Sequence, residues 1–544
     1  MPLAPAAGAI VFAWLALTPS LLPKLGVMQG VLCGAFAMIG YGLGALAGWI
    51  ARSLGLRVTG RLRRTAWWVV LVAGGAGTVV ALVRFWRNEQ AMRTIIGIDR
   101  LSLRDVVVAI VVGVVVFAAV LVLVRAVRGL GRGLGRLVGR VLPVKVAAVL
   151  GAVLAAAVVW VGIDNLVVER TVARLDAAFM ELNDEFSTDV PAPTAGELSA
   201  GPRSQVTWDG LGRQGRVFIT NTPTREAIAT FSGRDAKQPV RAYVGVGTDG
   251  DIDLREEARI AVDELERLGG FDRAVVNVAT GTGRGWINEN SSRALEFMWN
   301  GDTATVSMQY SYLPSWMSFL ADGDRSQEAG RLLFDAVYER WLELPAATRP
   351  LLVASGESLG SFGSEAAFSG AQDLATRTDG AVYVGPTANN SLWSRFTADR
   401  DPGTLEIAPV YDGGSTVRFS GLGKDWPGDG AWEGTRVAYL QHANDPIQWW
   451  NWSLAFSKPD WMSEPRDRTV SPHLRWMPLL TMVQVAADQS VANDMPDGQG
   501  HIYGQAPAYA WATVLPPPGW TRADTDRLAP VLAALRIEDV DSVE

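Results

Sequence analysis

Several things that common function classes depend on are scarce in this sequence. Its 544 residues include one cysteine, Cys33, so no intramolecular disulfide can form, and its place in an apolar run leaves the redox compartment unread. Histidine is limited to His442, His473 and His501, so any chemistry that needs an imidazole has three candidates. The net charge of −7 supplies no basic footprint for nucleic acid, and no nucleic-acid partner is expected. The chain shows no internal repeat. The middles of its long apolar runs carry no acidic or basic side chain, so nothing there supports ion or proton transport.

Those runs are the first positive signal. Val27 to Ile50, Ala66 to Val83, Val106 to Val124 and Val146 to Ile163 are each long enough for a helix to cross about 30 Å of hydrocarbon. Leu3 to Leu22, interrupted by Pro19 and Ser20, is counted as a fifth. No basic residue precedes it and no small-residue cleavage site follows, so it does not read as a cleaved signal peptide. Residues 1–166 therefore read as a multi-pass transmembrane domain of four to five spans, with the lipid bilayer as partner.

Arginine sets the expected orientation, because cytoplasmic loops are enriched in basic residues. One loop carries Arg52, Arg57, Arg61, Arg63 and Arg64, and a later one carries Arg125, Arg128, Arg132, Arg136, Arg140 and Lys145. With the second loop inside, the last span leads outward and everything after about residue 165 lies outside the cytoplasm. The basic loop from Arg84 to Arg104 also contains Glu89, Asp99 and Asp105, which weakens the contrast.

Residues 167–187 have apolar positions at helical spacing, and 188–205 have the Pro, Gly and Ser content of a linker. In 206–544 short apolar strands alternate with helical patterns: Val240 to Val244, Ala274 to Ala279, Thr303 to Gln309, Leu351 to Ala354, Ala381 to Val384 and Arg436 to Leu440. That alternation predicts βα units around a mostly parallel sheet. Gly245 to Gly250 spells G-x-G-x-x-G, but the next strand ends in Ala279-Thr280-Gly281 without the acid that holds a ribose hydroxyl, so it reads as a plain turn. Neither a cofactor nor a metal is expected.

Gly356-Glu357-Ser358-Leu359-Gly360 matches G-x-S-x-G. With 57 glycines in the chain a chance match has odds of roughly one in three, so context must decide. The context is a short buried-type strand before Ser358 and a helical pattern from Leu359, the setting of a nucleophile elbow. Such a serine needs a base and a group to orient it. His501, in the glycine-rich Asp497-Gly498-Gln499-Gly500-His501, leads on chain order and loop context; His442 and His473 remain open. Asp445 leads as the acid, just past the strand Arg436 to Leu440; it also suits an N-cap of the helix that follows, and Asp412 is the reserve. The oxyanion would be held by the Leu359 N–H and by one N–H from Thr280, Gly281, Thr282 or Gly283.

ASGESLGS, LQHANDPIQWW, DGQGHIYG and the early LTPSLLP together resemble the bacterial, mainly actinobacterial, α/β-hydrolases that carry a multi-span N-terminal membrane domain. The resemblance covers nearly the whole chain. It implies an α/β-hydrolase fold over 206–544 and a serine hydrolase with Ser358, Asp445 and His501 as the triad; the chemistry of such a site leads to an ester or thioester as the expected substrate, a small molecule or a lipid. One departure is a helix-like stretch, Leu474 to Ala492, where a final strand would precede the histidine. A long insertion from Asn389 to Gly434 brings Trp393, Trp426 and Trp432, which read mainly as core and surface aromatics. An acyltransferase to an envelope lipid or sugar hydroxyl, or an inactive membrane scaffold, are the competing functions.

Overall fold

The structure, a computed structural model, describes residues 3–56, 59–139, 183, 190–246 and 253–535. The run at 146–163, the amphipathic stretch at 167–187 apart from Asn183, and residues 247–250 of the early glycine motif lie outside the described residues. The chain forms two compact units. One takes Met1–Leu175 together with Trp452–Met462 and Arg466–Pro496; the other takes Asp176–Asn451, Ser463–Pro465 and Asp497–Glu544.

In the first unit, helices α1 (Leu3–Ala16), α2 (Gly26–Ser53), α3 (Gly60–Ile96) and α4 (Leu103–Val138) follow the apolar runs. Among the described residues α2, α3 and α4 are long and apolar enough to cross a membrane. α1 has 14 residues, about 21 Å at 1.5 Å per residue and so shorter than the hydrocarbon core. It stops where Thr18-Pro19-Ser20 breaks the pattern. Without a hydrophobic drive between helices in lipid, close packing needs small residues. α2 provides them as Gly26, Gly30 and Gly34, whose missing Cβ atoms leave room for Asp105, for Ala109 with Val112, and for Gly113 with Val116 of α4. That register makes α2 and α4 parallel.

Between the turn bearing Asp445 and the loop bearing His501, the chain makes an excursion, residues 452–496, most of which belongs to this same unit. Its helix, Leu480–Asp488, packs on α1 and α2. Asp488 is fully buried there. Lys24 Nζ pairs with it, Ser20 Oγ donates to it, and the Leu21 N–H donates at 3.0 Å. Gln484 Nε2 donates to Thr18 Oγ1 at 3.1 Å. The LTPSLLP stretch is thus the docking point for the excursion. It lies at the α2 N-terminus, and Arg52, Arg61, Arg63 and Arg64 lie at the far end of the same helices.

The second unit is built on a seven-stranded, all-parallel sheet in the order β1-β3-β2-β4-β5-β7-β6. Its strands are β1 (Val240–Val244), β2 (Val275–Thr280), β3 (Thr303–Met308), β4 (Leu351–Glu357), β5 (Gly380–Val384), β6 (Val417–Ser420) and β7 (Arg436–Leu440). The interior strands are apolar on both faces because helices cover both, as a parallel sheet requires. β6 lies within the expected insertion and fills the sheet edge beside β7. No strand precedes His501: the stretch from 474 gives an irregular segment, the helix 480–488 and a 3₁₀ segment at 489–494. Of the insertion's tryptophans, Trp393 is buried edge-on against Trp449, and Trp426 packs on Trp432. Leu198 bridges to Arg241, so part of the expected linker lines the β1 edge.

Candidate active site

The carboxyl ends of the central strands align. Thr280 pairs with Gly356, Glu357 with Val384, and Val384 with Leu440, so the turns after β2, β4, β5 and β7 emerge side by side. Ser358 is the first residue past β4, with φ 52° and ψ −122°. A non-glycine residue held at such angles costs on the order of 1–3 kcal/mol and persists only when its surroundings fix it. Here the Ser358 N–H donates to Val384 O at 2.9 Å, while its carbonyl accepts from Ser361 N at 3.0 Å and Ser361 Oγ at 2.7 Å.

The two glycines of the motif are required by space. A Cβ on Gly356 would strike the carbonyl of Gly360, and one on Gly360 would strike the carbonyl of Thr280. The turn therefore closes tightly, and helix α5 (Leu359–Glu365) starts against the Thr280–Gly281 loop. Of the four loop residues expected to supply an N–H, Thr282 already donates its own to Trp286 O at 3.0 Å. The N–H groups of Gly281 and Gly283 have no partner among the described residues.

His501 sits in a tight turn in which Gly498 N donates to Ile502 O at 2.8 Å. Its ring lies on Gly385, the residue after β5: a Cβ there would stand 2.6 Å from His501 Cε1. Val384 accepts the Ser358 N–H and Gly385 carries the imidazole, so serine and histidine converge on adjacent residues. His501 Nδ1 donates to Asp445 Oδ2 at 2.6 Å. Tyr503 OH donates to the same oxygen at 2.9 Å, and Asp445 Oδ1 accepts from Ile447 N at 2.9 Å. Asp445 is thus both the N-cap of Pro446–Trp449 and the partner of His501. His501 Nε2 is buried and has no hydrogen-bond partner among the described residues.

The other expected candidates lie elsewhere or act differently. His442 is buried, donates from Nδ1 to Gly500 O at 2.9 Å and stacks on Tyr503 with 4.1 Å between ring centroids. Burial pushes its pKa down despite the Gly500 bond and the Asp445 charge, so it braces the His501 turn as a neutral ring. His473 lies in an exposed turn, and Asp412 accepts from Ser415 Oγ at 2.9 Å in a turn at 412–414.

Glu357 and Asn288 are additions that sequence reasoning passed over. Glu357 is half-buried, and Asn288, the N-cap of Glu289–Met298, donates to its carboxylate. They line a small polar cavity with Thr280, Ser291, Ser355 and Val384. Burial drives the Glu357 pKa up to about 7 and the Asp445 charge adds to this; His501 and Asn288 pull the other way. For His501, burial opposes the charged ring, yet the Asp445 charge and hydrogen bond, with the Glu357 charge, outweigh it and raise the pKa.

The sequence model of the α/β-hydrolase family matches residues 240–528, and the model of that family's N-terminal region matches residues 17–223. The chain belongs to the α/β-hydrolase family. In this α/β-hydrolase both models include parts of the first compact unit, since 240–528 contains the excursion at 452–496. No curated protein and no solved structure matches the chain.

Proposed function

We propose that this α/β-hydrolase is a membrane-anchored serine hydrolase cleaving an ester or thioester through an acyl-enzyme. The observation that carries the reading is the buried Asp445–His501 pair at 2.6 Å with an unpartnered His501 Nε2 beside the strained turn at Ser358. An unsatisfied buried nitrogen costs roughly 1–3 kcal/mol, which a proton-accepting role beside a serine accounts for.

In this mechanism Nε2 of His501 takes the Ser358 hydroxyl proton as Oγ attacks the carbonyl carbon. The Asp445 carboxylate holds Nδ1–H and stabilises the imidazolium. The Leu359 N–H and a Gly281 or Gly283 N–H would hold the oxyanion. Collapse expels the alcohol or thiol, which leaves with the proton from Nε2, and water repeats the cycle on the acyl-serine. A fluorophosphonate probe tests the proposal: the native protein should be labelled at Ser358, and absence of labelling on folded protein would refute it.

Glu357 gives this reaction a distinctive pH profile. The base must be neutral to act, so the rate falls as pH drops through the His501 pKa. Glu357→Gln removes a charge that raises that pKa, so the acid limb of probe inactivation should move to lower pH. A limb that stays in place would show that Glu357 has no electrostatic hold on the imidazole.

The catalytic unit is proposed to lie outside the cytoplasm. Support comes from the first unit itself: the excursion docks at Thr18, Ser20, Leu21 and Lys24, the end opposite Arg52 of α2, Arg61, Arg63 and Arg64 of α3 and Arg125 to Arg136 of α4, while the arginines at its own end, Arg84 to Arg104, stand among Glu89, Asp99 and Asp105. By the basic-inside rule that end faces outward. Alkaline phosphatase fused after residue 205 should be active, and a fusion active only in the cytoplasm would reverse the topology.

A further inference from the structure

The excursion does more than rest on the end of the bundle. Met477, Leu480 and Val483 pack with Phe12, Leu15, Cys33, Phe36 and Ile39. Phe36 and Ile39 lie about 15 and 20 Å along α2 from Gly26, at 1.5 Å per residue. A hydrocarbon core about 30 Å thick takes some 20 residues of helix. If it begins at Arg52, its other boundary falls near Val31, so Phe36 and Ile39 lie inside it, and so does the segment packed on them.

At this depth the excursion turns apolar side chains outward. Phe456 is 85% exposed and Leu479 is 42% exposed. The Leu479 N–H donates to Ala455 O at 2.9 Å, which sets the two side chains on neighbouring backbone. Leu479 has φ 64°, a left-handed angle that costs a leucine roughly 1–2 kcal/mol. Trp476 is tied by its indole N–H to Leu454 O at 2.9 Å, and Lys458 and Arg475 are exposed close by in sequence. Apolar tips flanked by tryptophan and basic side chains are the composition of a membrane interface.

We propose that the tips of the excursion at Ala455–Phe456 and Met477–Leu480 insert into the membrane, with Phe456 and Leu479 seated among the acyl chains of the leaflet at the docking end of the bundle. Lys458 and Arg475 reach back to the headgroups. The occupant is lipid because the exposed pair adjoins Met477 and Leu480, which pack against α1 and α2 at hydrocarbon depth. This does not depend on the proposed chemistry at Ser358.

The test uses the full chain in phosphatidylcholine–phosphatidylglycerol vesicles. In a Cys33→Ala background, Phe456→Cys and Leu479→Cys would each carry an environment-sensitive fluorophore, with Asp425→Cys as an exposed control on the sheet unit. At 456 and 479, blue-shifted emission quenched by nitroxides on the lipid acyl chains, and protected from aqueous iodide, is expected. The control should behave oppositely. Water-like emission quenched by iodide would overturn the proposal. Emission quenched by neither agent would overturn it too, since the pair would then be covered by protein, either another segment of this chain or a second copy. Both positions are exposed, so loss of folding in one variant leaves the other to decide.

Discussion

Ser358→Ala is expected to abolish fluorophosphonate labelling and lower turnover by roughly a millionfold, because nucleophile, base and orienting acid act as one unit. His501→Ala should cost nearly as much, since it removes the ring nitrogen proposed to take the serine proton. Asp445→Asn should cost about a thousandfold to ten-thousandfold, as the imidazole loses the partner that fixes its tautomer. The double variant Ser358→Ala/His501→Ala should be little worse than either single one. His473→Ala, in an exposed turn, should leave the rate unchanged. Full activity in Ser358→Ala, or a dead His473→Ala beside a normal His501→Ala, would refute the assignment.

The second large effect concerns stability. Lys24→Met should destabilise the first unit by about 3–5 kcal/mol, because it leaves the buried Asp488 carboxylate without its counter-ion. Burial already pushes the Asp488 pKa up, and Lys24 is the chief group opposing it. Replacing both, as in Lys24→Met with Asp488→Leu, should recover much of the loss, since apolar pairs of similar volume substitute well for buried ion pairs. Arg259→Met, removing an exposed partner of Glu256 and Asp263, should leave the melting temperature nearly unchanged, because solvent screens such a pair. Melting of the detergent-solubilised protein compares the four. A Lys24→Met protein as stable as the native one would mean the pair contributes little.

How far the sequence could be read depended on the range of the forces involved. Period and length identified six strands, because each is a short β-branched run whose burial follows from its own composition. β6 escaped notice: Val417-Arg418-Phe419-Ser420 has a charged residue at its centre, and Arg418 is buried only because Gly414, Trp426 and Gly430 offer it carbonyls. The helix read from Leu474 starts six residues late, since Pro478 bars its preceding residue from helical angles. The pairing of Asp445 with His501 was approachable through chain order. Glu357 was not, because nothing in a string of letters says that a glutamate beside a serine will be enclosed with His501. The LTPSLLP stretch was visible as a motif, but its partner lies 468 residues away.

That separation has a consequence for how the molecule is made. At roughly 5–20 residues per second, about 25 to 95 seconds pass between synthesis of Ser20 and synthesis of Asp488. Through that interval the helices of the first unit are already made, but Lys24 has no counter-ion from the excursion. The sheet domain, by then almost complete, still lacks the turn that carries His501. A nascent chain cut short before residue 488 would therefore carry Ser358 without the histidine proposed as its base and a first unit whose Lys24 lacks Asp488, which makes the last tenth of translation the step that completes both units.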